Sequence, residues 1–177
     1  MMQLFVAFAI SVLMTAYSSQ KALAIETTLD GFQGAKWGMS EDAVQRAFGG
    51  TLSRWTSKSD NGLQSFQHFG IQNYDIGGCT FYVDFGFSSG KLDTVDLGLN
   101  DKRQLGCGTK IAEMLTAKYG TPTLTEPMKI PYSTGHKRVW FVGKTKITQF
   151  DSFFPALGTA VMGLQYSPAL PAAAGKL

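Results

Sequence analysis

The strongest constraint in this chain is a run of side chains that alternate with a period of two. Cys79, Phe81, Val83, Phe85 and Phe87 alternate with Thr80, Tyr82, Asp84, Gly86 and Ser88. In an extended strand successive side chains point to opposite faces, so the pattern describes a half-buried strand. After the turn formers of "SSGK", Val95, Leu97 and Leu99 resume the alternation around Asp96 and Gly98, so residues 79–99 are expected to form a hairpin.

Around this hairpin the chain reads as two helices and further strands. In "MSEDAVQRAFGG", Ser40 is a good N-cap, Glu41 and Asp42 suit the positive end of a helix dipole, and Val44, Ala47 and Phe48 form an apolar stripe. Gly49 and Gly50 end the helix, Met39 and Val44 suit a hydrophobic staple, and only Trp37 is left without a helical role. A second helix is expected over residues 109–119, from the spacing of Ile111, Met114, Leu115 and Lys118, closed by Gly120 and Pro122. Residues 66–76 read as a strand of irregular alternation, 137–142 and 145–150 as a second hairpin, and 160–166 as a last strand. "TSKSDNGLQ" and "TPTLTEPMKIPYSTG" read as loops, and Trp55 is read as a loop residue ahead of the first. Each half is a short helix followed by strands. The expected fold is α+β, one domain over residues 25–167, with two short helices packed on one face of an antiparallel sheet of five to seven strands.

The start of the chain is apolar from Leu4 to Tyr17, broken by Ser11 and Thr15, and reaches Ala22-Leu23-Ala24, the pattern of a secretory signal cleaved after Ala24. Its first residues, Met1, Met2 and Gln3, carry no Lys or Arg. The apolar core is shorter than the ~20 residues that cross a bilayer, and no later segment is long or apolar enough to span one. No cysteine stands at the cleavage site, which argues against a bacterial-type lipid anchor. Cleavage leaves 153 residues with 15 basic and 13 acidic groups, and residues 168–177 as a disordered tail. A formal charge of +2 gives no electrostatic case for a nucleic-acid partner. The expected location is periplasmic or secreted. In an oxidising compartment the even pair Cys79 and Cys107 is expected to form a disulfide, since there is no Cys-x-x-Cys and no histidine near either cysteine in sequence.

At "WGMSEDAV" the chain resembles a class of small exported α+β modules in which a Gly-Met-Ser/Thr step caps a short helix ahead of an antiparallel sheet. The class includes the small lipoprotein of the outer-membrane barrel-assembly machine and the β-lactamase-inhibitor-protein-like domains. The matching residues are Gly38, Met39, Ser40 and Val44, with "KYGTP" closing the second helix. The resemblance implies a helix-plus-sheet module that binds other proteins and performs no chemistry. The chain lacks the lipidated cysteine of the lipoprotein branch and any recognisable inhibitory loop.

Enzyme motifs are few. "GFSSG" fits the Gly-x-Ser-x-Gly nucleophile elbow, with Ser88 followed by Asp101 and His136 in hydrolase order, but the elbow needs a helix after the turn and "KLDTVDLGL" alternates like a strand. His68 and His136 are isolated, with no metal-ligand spacing, and no phosphate-cradling loop or dinucleotide fingerprint appears, so no metal or cofactor is expected. Asp84, Asp93 and Asp96 lie on or beside the first hairpin, where two carboxylates can meet across strands. Tyr82 and Trp37 are candidates for a small-molecule groove. The best binding candidate is the segment of residues 129–146, in which Tyr132, His136, Arg138 and Trp140 stand among lysines, because Tyr, Trp and Arg anchor protein interfaces. Trp140 and Phe141, as strand neighbours, must point to opposite faces. The expected function is therefore an exported, non-enzymatic module that binds a protein partner, as an envelope assembly factor or inhibitor. A small-ligand carrier is the alternative, and an envelope hydrolase using paired carboxylates is the third.

Overall fold

The computed structural model describes residues 29–58, 62 and 64–169. The expected leader over residues 1–24, and the tail beyond residue 169, lie outside the described residues. In chain order, β1 (Gly31–Phe32), β2 (Ala35–Lys36), α1 (Glu41–Ala47), β3 (Ser53–Lys58), β4 (Ser65–Ile76), β5 (Cys79–Ser88) and β6 (Lys91–Leu99) make the first half. The second half is α2 (Cys107–Tyr119), β7 (Leu124–Pro127), β8 (Thr134–Val142), β9 (Thr145–Phe154) and β10 (Thr159–Pro168).

Strands β1 and β2 pair as a small hairpin, and the other eight form one sheet in the order β3-β4-β5-β6-β10-β9-β8-β7. Every pairing in it is antiparallel. Each half is thus a helix followed by a four-stranded meander, and the last strand of each meander meets the other at a central seam. There Gly98 faces Gly163, Leu97 faces Leu164, Asp96 faces Gln165 and Val95 faces Tyr166.

This architecture overturns the α+β expectation: the chain is β-rich. Helix α1 has seven residues and buries only Val44, and α2 has thirteen. The largest buried side chains come chiefly from strands, among them Phe81, Val83, Val95, Leu97, Trp140, Ile147 and Leu164. A short helix lends one or two side chains to a core, whereas a long strand lends one at every second residue. Strands β3 and β7 escape the sequence pattern because they are the sheet edges. Neither buries a side chain, so pairing through the backbone leaves no apolar period to read. Trp55, expected in a loop, therefore sits in β3. The irregular alternation of β4 has a local cause too. Its register on β5 shifts between Ile71 and Tyr74, and the Asn100 amide donates to the Gln72 carbonyl there at 2.6 Å.

The helix starts follow from their sequences. Ser40 accepts the Ala43 N–H as N-cap of α1, and α2 begins after Gly106, in the left-handed region with φ 86°, and ends at Gly120. The segment ahead of α1 is a structural fastening. The Trp37 indole N–H donates to the Thr145 hydroxyl at 3.0 Å, and that fully buried hydroxyl also accepts the Gly31 N–H and donates to the Leu29 carbonyl. Gly38 N–H donates to the Leu92 carbonyl and Leu92 N–H to the Met39 carbonyl, at 2.9 and 2.8 Å. The N-terminal hairpin and α1 are thereby laced to β6 and β9.

Cys79 and Cys107 form a disulfide across 28 residues, joining the start of β5 to the start of α2 with Cα atoms 6.0 Å apart. Both residues are buried. On the chain-entropy account such a bridge contributes about 3 to 4 kcal/mol. Replacing both cysteines by alanine is expected to lower the unfolding free energy by about that amount, measured by urea denaturation against the oxidised parent. Equal midpoints would show that the bridge is not stabilising.

Candidate functional site

The four residues picked from the sequence as a binding hairpin do not form one surface. Tyr132 stands in the turn before β8, 93% exposed, with φ 59°. Along β8, His136 faces Asp151, Arg138 faces Gln149 and Trp140 faces Ile147. Trp140 is only 1% exposed and its indole N–H donates to the Gly120 carbonyl at 3.0 Å. It holds the end of α2 and cannot reach a partner, whereas its neighbour Phe141 points the other way and is 55% exposed. Strand alternation required one of the pair to face out, and only the register shows which.

His136 and Arg138 border a polar floor. Arg138 Nη1 donates to Gln149 Oε1 at 3.2 Å and to Asp151 Oδ2 at 3.0 Å, and the His136 backbone N–H donates to Asp151 Oδ1 at 2.7 Å. Gln149 is fully buried and its amide donates to the Gly108 carbonyl in the first turn of α2 at 2.7 Å. A cavity of about 400 Å³ opens over this floor, between the start of α2, the starts of β8 and β10 and the end of β9.

The opposite face of the sheet has a different character. The buried apolar residues of α1, α2 and the N-terminal hairpin pack with Phe81, Val83, Val95, Leu97, Trp140 and Leu164 on one face. Strand alternation places Tyr82, Asp84, Asp96, Thr148, Phe150 and Gln165 on the other. One cross-strand row there runs Tyr82, Gly98, Gly163, Phe150, each directly opposite the next on β5, β6, β10 and β9. A Cβ built on Gly98 would fall within the Tyr82 ring, and one on Gly163 within the Phe150 ring. The two rings therefore lean toward each other over a glycine floor at the seam. Both remain more than a third exposed.

The adjacent row runs Asp84, Asp96, Gln165, Thr148. The two carboxylates anticipated on the first hairpin thus stand opposite each other, while the third, Asp93, is exposed elsewhere on β6. Gln165 donates to Asp96 at 3.0 Å. Asp84 accepts the Phe69 N–H at 2.9 Å and pairs with His68 Nδ1 at 2.8 Å, and His68 Nε2 lies 2.7 Å from the Ser57 hydroxyl. Trp55 stacks on the His68 ring, centroids 5.0 Å apart. Sequence analysis missed the Ser57, His68, Asp84 chain, since its first member lies on the unseen edge strand and the three are far apart along the chain. Its order is that of a nucleophilic relay, but acyl transfer also needs preorganised oxyanion donors in a water-excluding site. These residues lie along the uncovered sheet face. Ser88 lies at the end of β5, paired with Lys91 across a hairpin turn in which Ser89 and Gly90 both have positive φ, and no helix follows.

No family model, curated protein or solved structure matches this chain. Among the described residues no group of three or more His, Cys, Asp or Glu is placed to hold a metal ion, and no helix is long and apolar enough to cross a membrane.

Electrostatics single out Asp96. Burial, reinforced by Asp84 and opposed by the Gln165 hydrogen bond, raises its carboxyl above the usual carboxylate value. Burial and the same two aspartates raise the Tyr82 phenol. A raised carboxyl in the native state binds its proton more tightly than in the unfolded chain, so stability falls as pH rises through the window above the ordinary value near 3.8. Asp96→Asn is expected to raise the melting temperature at pH 7 and to leave it nearly unchanged at pH 3, measured by thermal unfolding. An equal change at both pH values would show that charge is not the cause.

Proposed function

We propose that this chain is an exported, non-enzymatic protein-binding module whose partner seats on the uncovered face of the sheet. The observation that carries this reading is the in-register row of Tyr82, Gly98, Gly163 and Phe150, which presents two leaning aromatic rings at the centre of the sheet. Aromatic residues at the middle of a broad face are what anchor protein interfaces. Eight strands spaced by ~4.8 Å span roughly 34 Å, so the face offers an area comparable with the ~800 Å² one partner contributes to a specific complex.

The partner's chemistry follows from the adjacent row. Asp84 and Asp96 stand directly opposite each other, and the neighbouring Asp84 charge helps burial raise the Asp96 carboxyl. A lysine or arginine from a partner, flanked by apolar surface lying on Tyr82 and Phe150, would relieve that repulsion. A site whose repulsion is further relieved on binding trades some stability of the free protein for function. Exported placement is supported by the apolar leader ending in Ala22-Leu23-Ala24 and by the disulfide. An envelope assembly factor or an inhibitor both fit, and the step "WGMSEDAV" resembles such modules.

A photocrosslinker placed at Thr148 or Gln165 is expected to give one discrete adduct with an envelope protein, and the same group at Glu113 on α2 none. With that partner purified, Phe150→Ser or Asp96→Lys should weaken binding about tenfold or more. Equal adducts from both faces, or unchanged affinity in both variants, would overturn the proposal. Ester hydrolysis by the purified protein that disappears in Ser57→Ala would replace it with an enzymatic reading.

A further inference from the structure

We infer that the cavity over Arg138 is a separate binding site, built for a small monocarboxylate with a short aliphatic body. It lies on the helix-covered side of the sheet, so it stands or falls independently of a protein partner on the uncovered face.

The argument is a surplus of hydrogen-bond donors. Both oxygens of Asp151 are already engaged, Oδ1 by the His136 N–H and Oδ2 by Arg138 and, at 3.4 Å, by Gln149. The Gln149 carbonyl accepts from Arg138, and its amide is committed to Gly108 and Asp151. Of the Arg138 guanidinium only Nη1 has a partner among the described residues, which leaves Nε and Nη2 to donate. Its side chain is 19% exposed, held between Gln149 and Asp151. The first turn of α2 borders the same space, and a helix leaves its first N–H groups without partners inside the helix. Here the N-cap is Gly106, which offers no side chain, and the first turn holds no acid.

Donors without acceptors call for a ligand that brings acceptor oxygens. Asp151 offsets most of the Arg138 charge, so the remaining field, which includes the positive end of α2, suits one negative charge better than a phosphate dianion. Beside Thr109 and Thr134, apolar side chains of Leu105, Phe153, Ala160 and Met162 line the wall. A volume of about 400 Å³ with a few convergent polar groups is typical of small-molecule sites. The ligand's head thus lies on Arg138 and the α2 N–H groups, and its aliphatic body against Ala160 and Met162.

Ligand-detected NMR and calorimetry on the full chain test this with hexanoate and octanoate as probes, against hexanol, hexylamine and inorganic phosphate. The acids are expected to bind saturably, octanoate more tightly than hexanoate, with hexanol and hexylamine about tenfold or more weaker. Arg138→Gln should lower octanoate affinity by a similar factor. That variant can lose its fold by leaving Asp151 unpaired, so Ala160→Leu, which fills the cavity from its apolar wall, is the second. It should keep its circular dichroism and lose octanoate binding, while Tyr82→Ala should leave that binding intact. No saturable binding of the acids, equal binding of acid and amine, phosphate as good as hexanoate, or full octanoate affinity in Ala160→Leu would overturn the proposal.

Discussion

The structure depends on the pairing of β6 with β10. Four residue pairs at this seam join the two four-stranded meanders into one sheet. A four-stranded meander with one short helix has little apolar surface to bury, so neither half offers a core of useful size alone. Joined, they place Val95 and Leu97 beside Tyr166 and Leu164, and the helices close over one continuous apolar layer. The constraint is sharp because the side-chain period is two. A slip of one residue at the seam would turn Val95 and Leu97 outward and Asp96 inward.

The seam also shapes the uncovered face. Two glycines meet there, and each is roofed by an aromatic ring from the next strand out, Tyr82 over Gly98 and Phe150 over Gly163. Rings laid on glycine shield backbone that would otherwise be wet, a device that strengthens sheets. The same arrangement concentrates half-exposed aromatic surface at the middle of the molecule, beside a pair of carboxylates that disfavour each other. On the proposed reading, stabilisation of the sheet and the partner surface come from the same residues.

The two faces divide the work. The covered face is sealed by the helices, by the disulfide between β5 and α2, and by the hydrogen bonds of Thr145 and Leu92 that hold the N-terminal segment. Toward the far end of β9 that face stops being apolar: Gln149 and Asp151 follow Ile147 on the same side of the strand. Buried polar side chains must be hydrogen-bonded, and here Arg138, the His136 N–H and the first turn of α2 supply the partners. The polar floor and the cavity above it follow from that change in character.

What the sequence determined by itself is local. The alternation over residues 79–99, the Ser40 cap, the glycine stops of both helices and the cysteine pair each express physics that acts within one element or, for the cystine, through the chemistry of an even pair of thiols. The edge strands β3 and β7 left no such trace, because backbone pairing does not depend on side-chain pattern. Tertiary structure alone decided the rest. Residues 57, 68 and 84 meet only because three strands lie side by side, Trp140 is buried and Phe141 exposed only because of the β8 register, and Arg138 becomes part of a cavity only because α2 crosses above it. Such contacts depend on which strands neighbour which, a choice made by the burial of the whole apolar layer that no single stretch of sequence encodes.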